Sequence, residues 1–311
     1  MSGRSVLPKS FFEAILVCTQ SLRSDPSIFV RQSAEAEAEQ LVSAAYRKVT
    51  GVSLTRFDLL LRAKEAYPLA AAELLLVWCA SRREGKLLQH LTGYQVFFDH
   101  EYEVSPQVLI PRPETECLVL TVIQWLDAQG WSPSIGMEVG LGSGAISIEL
   151  LSRWKGLQML ASELSSGAIE CALRNAARIL GEDASGVGRL KVLKVDSGEN
   201  VLEPFLGFAL GADFLVTNPP YLTRSLNEVE VDVMAHEPHL ALFAPDSDPF
   251  FFYRKIATEG KFFLKSNGVV FAELPHERAL PIVEIFQKEG WNTELVLDLS
   301  QRNRVMIAQR D

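Results

Sequence analysis

Residues 136–153 read GMEVGLGSGAISIELLSR. A short apolar strand, Gly136 to Val139, runs into a glycine-rich turn and then into a helical run, Ile146 to Arg153. Three glycines in five positions let the backbone come close to a ligand and present helix amides to it. Working outward, the chain after Glu116 alternates helical runs with short apolar strands: Gly136 to Val139, Gln158 to Ala161, Lys191 to Val195, Phe214 to Thr217 and Val269 to Leu274. That alternation predicts an α/β, Rossmann-like doubly wound fold, a mainly parallel sheet with helices on both faces. Ligands in such a fold bind at the carboxyl ends of the strands, so the residues there carry the functional question.

Upstream the pattern changes twice. From Phe11 to about Arg83 it is helical, with Ala34, Ala38, Leu41 and Ala45 on one face. Gly51 reads as a helix stop, Thr55 and Asp58 are spaced as a capping box, and Pro68 suits the first turn of a helix through Leu76. Between Gln89 and Leu109 the period becomes alternating: Tyr94, Val96 and Phe98 before Asp99 and His100, then Tyr102 and Val104, a hairpin signal. Pro111 and Pro113 follow and stiffen the chain. The expected domains are a small N-terminal all-α bundle over 1–86, a β-hairpin linker over 87–110 and the α/β domain over 111–311.

Composition narrows the function. With 311 residues, two domains are the natural division. Acidic residues outnumber basic ones 39 to 30 and no long Lys/Arg run occurs, which argues against free nucleic acid as a partner. Cys18, Cys79, Cys117 and Cys171 are scattered without a Cys-x-x-Cys pair, so neither a disulfide framework nor a zinc site is expected. The histidines lack metal-ligand spacing, and no metal is expected. The apolar stretch Phe11 to Cys18 lacks a cleavage site, and Leu69 to Ala80 contains Glu73 and is too short to span a bilayer. A cytoplasmic protein, with no membrane partner and monomeric, is the expectation.

The loop Gly140-Leu141-Gly142-Ser143-Gly144-Ala145 satisfies a lenient dinucleotide fingerprint, so it fits NAD and S-adenosylmethionine equally. Glu163 ends the next strand some 20 residues on, where a carboxylate accepts bonds from both hydroxyls of a ribose. Asp196, after the third strand, is placed to accept from an adenine amino group, although Ser197-Gly198 also makes it a turn former. The element that separates these readings is Asn218-Pro219-Pro220-Tyr221, directly after the strand Phe214 to Thr217. Two prolines fix two φ angles and remove two N–H donors, so nearby carbonyls are free to face a ligand. Asn218 adds a side-chain acceptor and Tyr221 a flat apolar face. Together they suit an NH2 group on a conjugated plane: two acceptors hold its hydrogens while the nitrogen lone pair meets a sulfonium methyl.

These pieces, in this order, resemble the protein-(glutamine) methyltransferases that modify release factors. The resemblance rests on Leu91-Thr-Gly-Tyr94 with Phe97 or Phe98, Val108-Leu-Ile-Pro-Arg-Pro-Glu-Thr-Glu116, the glycine loop, Arg174-Asn175, Asn218 to Tyr221, and Glu237-Pro238 with Ala241-Leu242. It covers the chain from about Gln89 onward. It implies a class I S-adenosylmethionine-dependent methyltransferase in which Glu138, Gly140 to Gly144, Glu163, Asp196, Ser197 and Asn218 bind the cofactor. It likewise implies that Asn218, Pro219, Pro220 and Tyr221 hold the substrate, the glutamine of a Gly-Gly-Gln loop in a peptide chain release factor, with the N-terminal helices assisting docking. Ser197 departs from the bulkier residue expected there, and Asp246-Ser-Asp-Pro249 replaces an expected glycine-containing turn. Arg112 and Glu116 either line the cofactor pocket, pair with each other or pin the linker. The main alternative is an amino-methyltransferase acting on adenine or cytosine in DNA, which uses a similar proline-containing motif on a flipped base. The acidic balance argues against it. An NAD dehydrogenase leaves Asn218 to Tyr221 unexplained.

Overall fold

The computed structural model describes residues 7–24, 33–181, 188–208, 211–224 and 231–310, which fall into two units. The first comprises the described residues up to Gly93 together with the short helix Val231–His236. Its helices are α1 (Phe11–Arg23), α2 (Ala34–Thr50), α3 (Arg56–Leu61), α4 (Leu69–Arg83) and α5 (Leu88–Thr92). Local chemistry sets their ends. Ser10 and Ser33 cap α1 and α2 through their hydroxyls, Gly51 closes α2 at φ 76°, and Thr55 with Asp58 forms the expected capping box. Pro68 is the N-cap of α4 rather than part of its first turn, and the helix continues beyond Leu76 to Arg83. Ala38, Leu41, Val42 and Ala45 of α2 pack with Phe11, Cys18, Leu75 and Cys79. The Cys18 and Cys79 sulfurs lie 3.4 Å apart, and all four cysteines are free thiols. Glu37 and Arg82, both nearly inaccessible to solvent, pair inside this core at 2.5 Å.

The second unit begins with an antiparallel ribbon, β1 (Tyr94–Phe97) and β2 (His100–Glu103), turning at Phe98, whose φ is 50°. Its buried side is Phe97 and Tyr102, while Val96 is exposed. Then follow α6 (Pro113–Ala128), β3 (Ile135–Val139), α7 (Ala145–Arg153), β4 (Gln158–Glu163), α8 (Ser166–Leu180), β5 (Leu190–Lys194), β6 (Ala212–Thr217), α9 (Phe251–Glu259), β7 (Leu264–Glu273), α10 (Ala279–Lys288), β8 (Trp291–Leu297) and β9 (Asn303–Arg310). A helical turn, His239–Leu242, lies between β6 and α9.

Seven strands form one sheet in the order β5-β4-β3-β6-β7-β9-β8, parallel except for β9 and β8. The order reverses at β3, where β4 and β6 flank it. Alternation along each strand serves two cores. Phe214 and Val216 of β6 join Leu118, Val122, Ile148 and Ala172 from α6, α7 and α8. Leu215 joins Ile256, Ile282 and Phe286 from α9 and α10 on the opposite face. The sheet thus has helices on both sides, which makes its strands continuous apolar runs. The five strands expected from the sequence are present, and β8 and β9 extend the sheet beyond them. No described helix is long and apolar enough to cross a membrane.

Candidate active site

The reversal at β3 opens a crevice at the carboxyl ends of β3, β4 and β6, where the structure has a cavity of about 210 Å³. Glu138, Gly140, Leu141, Gly142 and Ser143 line it from the first crossover, and Ser162 and Glu163 from the end of β4. Asn218, Pro219 and Pro220 line it from beyond β6, with Arg112 and Thr115 at the start of α6 and Pro238, Leu240 and Phe252 completing the wall. The Thr217 hydroxyl donates to the Val139 carbonyl at 2.9 Å, which fixes the end of β6 beside the end of β3. The asparagine-proline element and the glycine loop are therefore neighbours by construction of the sheet.

The glycine loop needs its glycines. Gly140, Gly142 and Gly144 have φ of 81°, 57° and 84°, a region that costs an L-residue about 1–2 kcal/mol. Gly140 N and Leu141 N both donate to the Ser162 carbonyl, at 3.0 and 3.2 Å, which folds the loop over the end of β4. Glu163 then braces it: one carboxylate oxygen accepts from Gly142 N and the other from Ser165 N, each at 2.8 Å. Each oxygen keeps acceptor capacity.

Two polar atoms on the cavity wall, Glu138 Oε1 and Ser162 Oγ, have no partner among the described residues. The other oxygen of Glu138 accepts from the Ser147 hydroxyl. Burial pushes the Glu138 carboxyl up to about 8, against the Ser147 bond, which lowers it. An unsatisfied buried carboxylate is costly unless a ligand supplies a donor or a positive charge.

Asn218 donates from Nδ2 to Thr115 Oγ1 at 3.1 Å, and its Oδ1 makes no hydrogen bond among the described residues. Among the same residues, the carbonyls of Asn218, Pro219 and Pro220 accept no backbone hydrogen bond. The Tyr221 carbonyl is engaged by Arg278 at 3.0 Å. Tyr221 itself packs with the α9 and α10 side of the core and is not among the residues lining the cavity. Asp196 and Ser197 are exposed and also stand outside the lining, to which Val195 and Gly198 contribute instead.

Long-range pairs hold the rim. Arg112 pairs with Glu237 rather than Glu116, and Glu237 also accepts from Ile110 N at 2.9 Å. Glu116 accepts from Phe98 N at 2.9 Å and so supports the positive φ of the ribbon turn. Asn175, fully buried, accepts from Glu103 N at 2.7 Å and donates to the carbonyls of Glu103 and Ser143, both at 3.0 Å. None of these partnerships follows from spacing along the chain, although each residue belongs to a stretch that stood out in the sequence. Thr115 and Glu273 were not singled out. The only signal for Glu273 is an acid at the carboxyl end of an otherwise apolar strand.

A doubly wound sheet with a glycine loop at its reversal point and an asparagine-proline element on the next strand defines a class I methyltransferase. In fold the chain is similar to the catalytic domain of hMettl16 in complex with a MAT2A 3′UTR hairpin, with a TM-score of 0.51 at 18% identity over 77% of this chain and 80% of that one. By sequence it is 31% identical over 261 residues to the release factor glutamine methyltransferase of Chlorobaculum tepidum, spanning 81% of this chain and 84% of that protein. It is 32% identical over 251 residues to the enzyme of the same name from Burkholderia pseudomallei, spanning 80% and 85%. The chain belongs to the release factor glutamine methyltransferase family. No family model matches it.

Proposed function

We propose that the protein transfers a methyl group from S-adenosylmethionine to the side-chain amide nitrogen of the glutamine in the Gly-Gly-Gln loop of peptide chain release factors, in the cytoplasm. The observation that carries this reading is the Oδ1 of Asn218, unengaged among the described residues, beside two prolines whose carbonyls accept no hydrogen bond among those residues, on the wall of the cavity that the glycine loop borders. These are acceptors without donors, the complement of a carboxamide NH2 group.

The residues of the cavity fit the proposed cofactor. Among the described residues Glu138 Oε1 and Ser162 Oγ lack partners, which its amino-acid portion would supply, and Glu163 retains acceptor capacity for hydroxyls. Gly140, Gly142 and Gly144 keep the loop free of side chains. When bound, S-adenosylmethionine supplies an electrophilic methyl group on a sulfonium. The chain's own part is to bind and orient the acceptor amide. Asn218 Oδ1 and a proline carbonyl hold the two amide hydrogens, so lone-pair density stays on nitrogen for the incoming methyl without a strong base, and one of the two held hydrogens leaves as a proton to solvent once the N–C bond has formed, an arrangement that stabilises the transition state more than the ground state. Positioning of this kind lowers barriers by about 7–11 kcal/mol in favourable cases. The helices of residues 7–93 would serve in docking the release factor.

The test offers labelled S-adenosylmethionine with, in turn, a release factor, the same factor with its loop glutamine changed, and duplex DNA. Label is expected on the first alone; label on the altered factor or on DNA overturns the assignment. Asn218→Ala should lose about 3 kcal/mol of transition-state stabilisation, on the order of 100-fold in kcat.

A further inference from the structure

We propose that Leu240 is a substrate-contacting residue: at the mouth of the cavity it packs against the Gly-Gly-Gln loop of the release factor, covering the methylene stem of the glutamine and the backbone of the glycines before it. The inference rests on the reading of Asn218 as acceptor for the glutamine amide, and it assigns the next contact outward from that asparagine.

Exposed apolar side chains are ordinary on a protein surface, and one of them alone marks nothing. Leu240 is 65% exposed, and among the described residues it is the one large apolar side chain that is both exposed and part of the cavity lining. Such a side chain stands where the cavity meets solvent. The wall of the cavity beside it is apolar too, with Pro220, Pro238, Ala241 and Phe252. An apolar entrance to a pocket with polar groups at its end suits a side chain that is methylene first and amide last.

The segment that carries Leu240 is fixed at both ends. At its start the Glu237 side chain is fully buried, one oxygen accepting from Ile110 N at 2.9 Å and the other paired with Arg112. A buried ion pair contributes little net stability, so what it supplies here is position. At the other end Leu222 N donates to the Leu242 carbonyl at 3.1 Å and Ala244 N to the Leu222 carbonyl at 3.0 Å, a parallel bridge between Leu222 and Phe243. Between these ties one helical turn closes, Ala241 N donating to the Pro238 carbonyl at 2.9 Å and Phe243 N to the His239 carbonyl at 3.0 Å. The turn buries Leu242 and Phe243 and leaves Leu240 outward. Little backbone freedom is left in the segment to be lost when a partner covers it.

This wiring also decides which ligand covers Leu240. The glycine loop and Glu163, which take the cofactor in the proposed function, stand at the ends of β3 and β4, whereas the bridge ties the Leu240 segment to Leu222, two residues beyond Pro220. Leu240 therefore belongs to the acceptor side. A glutamine amide held at Asn218 is separated from its own backbone by two methylenes, so the loop that carries it must come down to the cavity mouth. Glycines have no side chain to hold that loop away. Their CH2 groups and the glutamine stem bury a leucine that is otherwise in water, and that side chain has no polar group to desolvate.

The experiment measures kcat and KM for methyl transfer to a release factor, and the Kd of the factor with S-adenosylhomocysteine present, for wild type, Leu240→Ala, Leu240→Met and Leu206→Ala. Calorimetry gives the S-adenosylhomocysteine affinity of each. Leu206 is exposed to the same 65% and lies outside the lining, so its variant reports what a surface leucine is worth elsewhere. Leu240→Ala should raise both KM and the factor's Kd on the order of 10-fold, the worth of about two buried methylene groups, with kcat and S-adenosylhomocysteine affinity unchanged. Leu240→Met, of similar volume, should recover most of the wild-type KM. Leu206→Ala should match wild type. Wild-type KM and Kd in Leu240→Ala, an equal weakening in Leu206→Ala, or a loss of S-adenosylhomocysteine affinity in Leu240→Ala, which would put the leucine against the cofactor, overturns the proposal. A wild-type protein that methylates no release factor defeats the functional reading and this inference with it, a result distinct from an active wild type whose Leu240→Ala variant binds the factor equally well.

Discussion

Two glycines of the same loop, changed to alanine one at a time, should fail in different ways. A Cβ built on Gly144 would stand 2.9 Å from Ile148 Cδ1 and 3.2 Å from Ala172 Cβ, with the Ala172 backbone of α8 at 3.4 Å. The isoleucine tip can turn aside; the helix backbone cannot. Gly144→Ala therefore combines the positive-φ penalty, about 1–2 kcal/mol, with an overpacking cost of about 1–3 kcal/mol. The sum, about 2–5 kcal/mol, corresponds to a fall in melting temperature of about 4–20 °C for a unit of this size. A Cβ on Gly142 meets no protein atom within 4 Å, so only the backbone term applies, about 1–2 kcal/mol. Yet Gly142 lines the cavity, and an added methyl there should weaken S-adenosylhomocysteine by about 1–3 kcal/mol, roughly 5- to 150-fold. Thermal melts and calorimetry on both variants measure the two quantities separately. Gly144→Ala melting no lower than Gly142→Ala would refute the close approach to α8 as the reason for that glycine, and undiminished ligand affinity in Gly142→Ala would remove the loop from the cofactor site.

The remaining predictions concern charge and packing. The native state holds the Glu138 proton more tightly than the unfolded chain, because its value is about 8 against an ordinary 4.5. Its contribution is thus complete below pH 4.5 and lost as pH rises toward 8, about 5 kcal/mol in all at 1.36 kcal/mol per unit, so the melting temperature should fall across that window and Glu138→Gln should flatten much of the fall. Arg82→Ala leaves the Glu37 carboxylate buried and unpaired, and urea midpoints should report a loss of about 3–5 kcal/mol. Gly136→Ala drives a methyl into Phe214 and Met159 at the centre of the sheet, so it should lower the melting temperature by an amount corresponding to at least about 1–3 kcal/mol, with the soluble yield falling alongside.

What could be read from the sequence was local. The glycine loop, the asparagine-proline element and the capping signals at Gly51 and Thr55 are decided by residues a few positions apart, where backbone constraints act directly. The parallel strands were legible because burial on both faces makes each a continuous apolar run. The antiparallel pair was not: β8 alternates weakly, through Asn292, Thr293 and Glu294, and its partner is fixed only by tertiary pairing. Pairings at long separation were equally hidden. Arg112 reaches Glu237, 125 positions on, and Asn218 donates to Thr115, 103 positions back. The ribbon showed its alternation but not its buried side, because Phe97 and Phe98 are both aromatic and only the turn at Phe98 decides which one enters the core.

One buried amide, Asn175, clasps both the second strand of the ribbon and the carbonyl of Ser143 in the glycine loop. Neither segment can peel away without stripping the same side chain of its partners, so the two should open and close as one cooperative unit. The Glu103 amide proton then becomes a remote gauge of the loop: its exchange with solvent deuterium should slow whenever a ligand steadies residues 140–144, although it contacts no ligand itself.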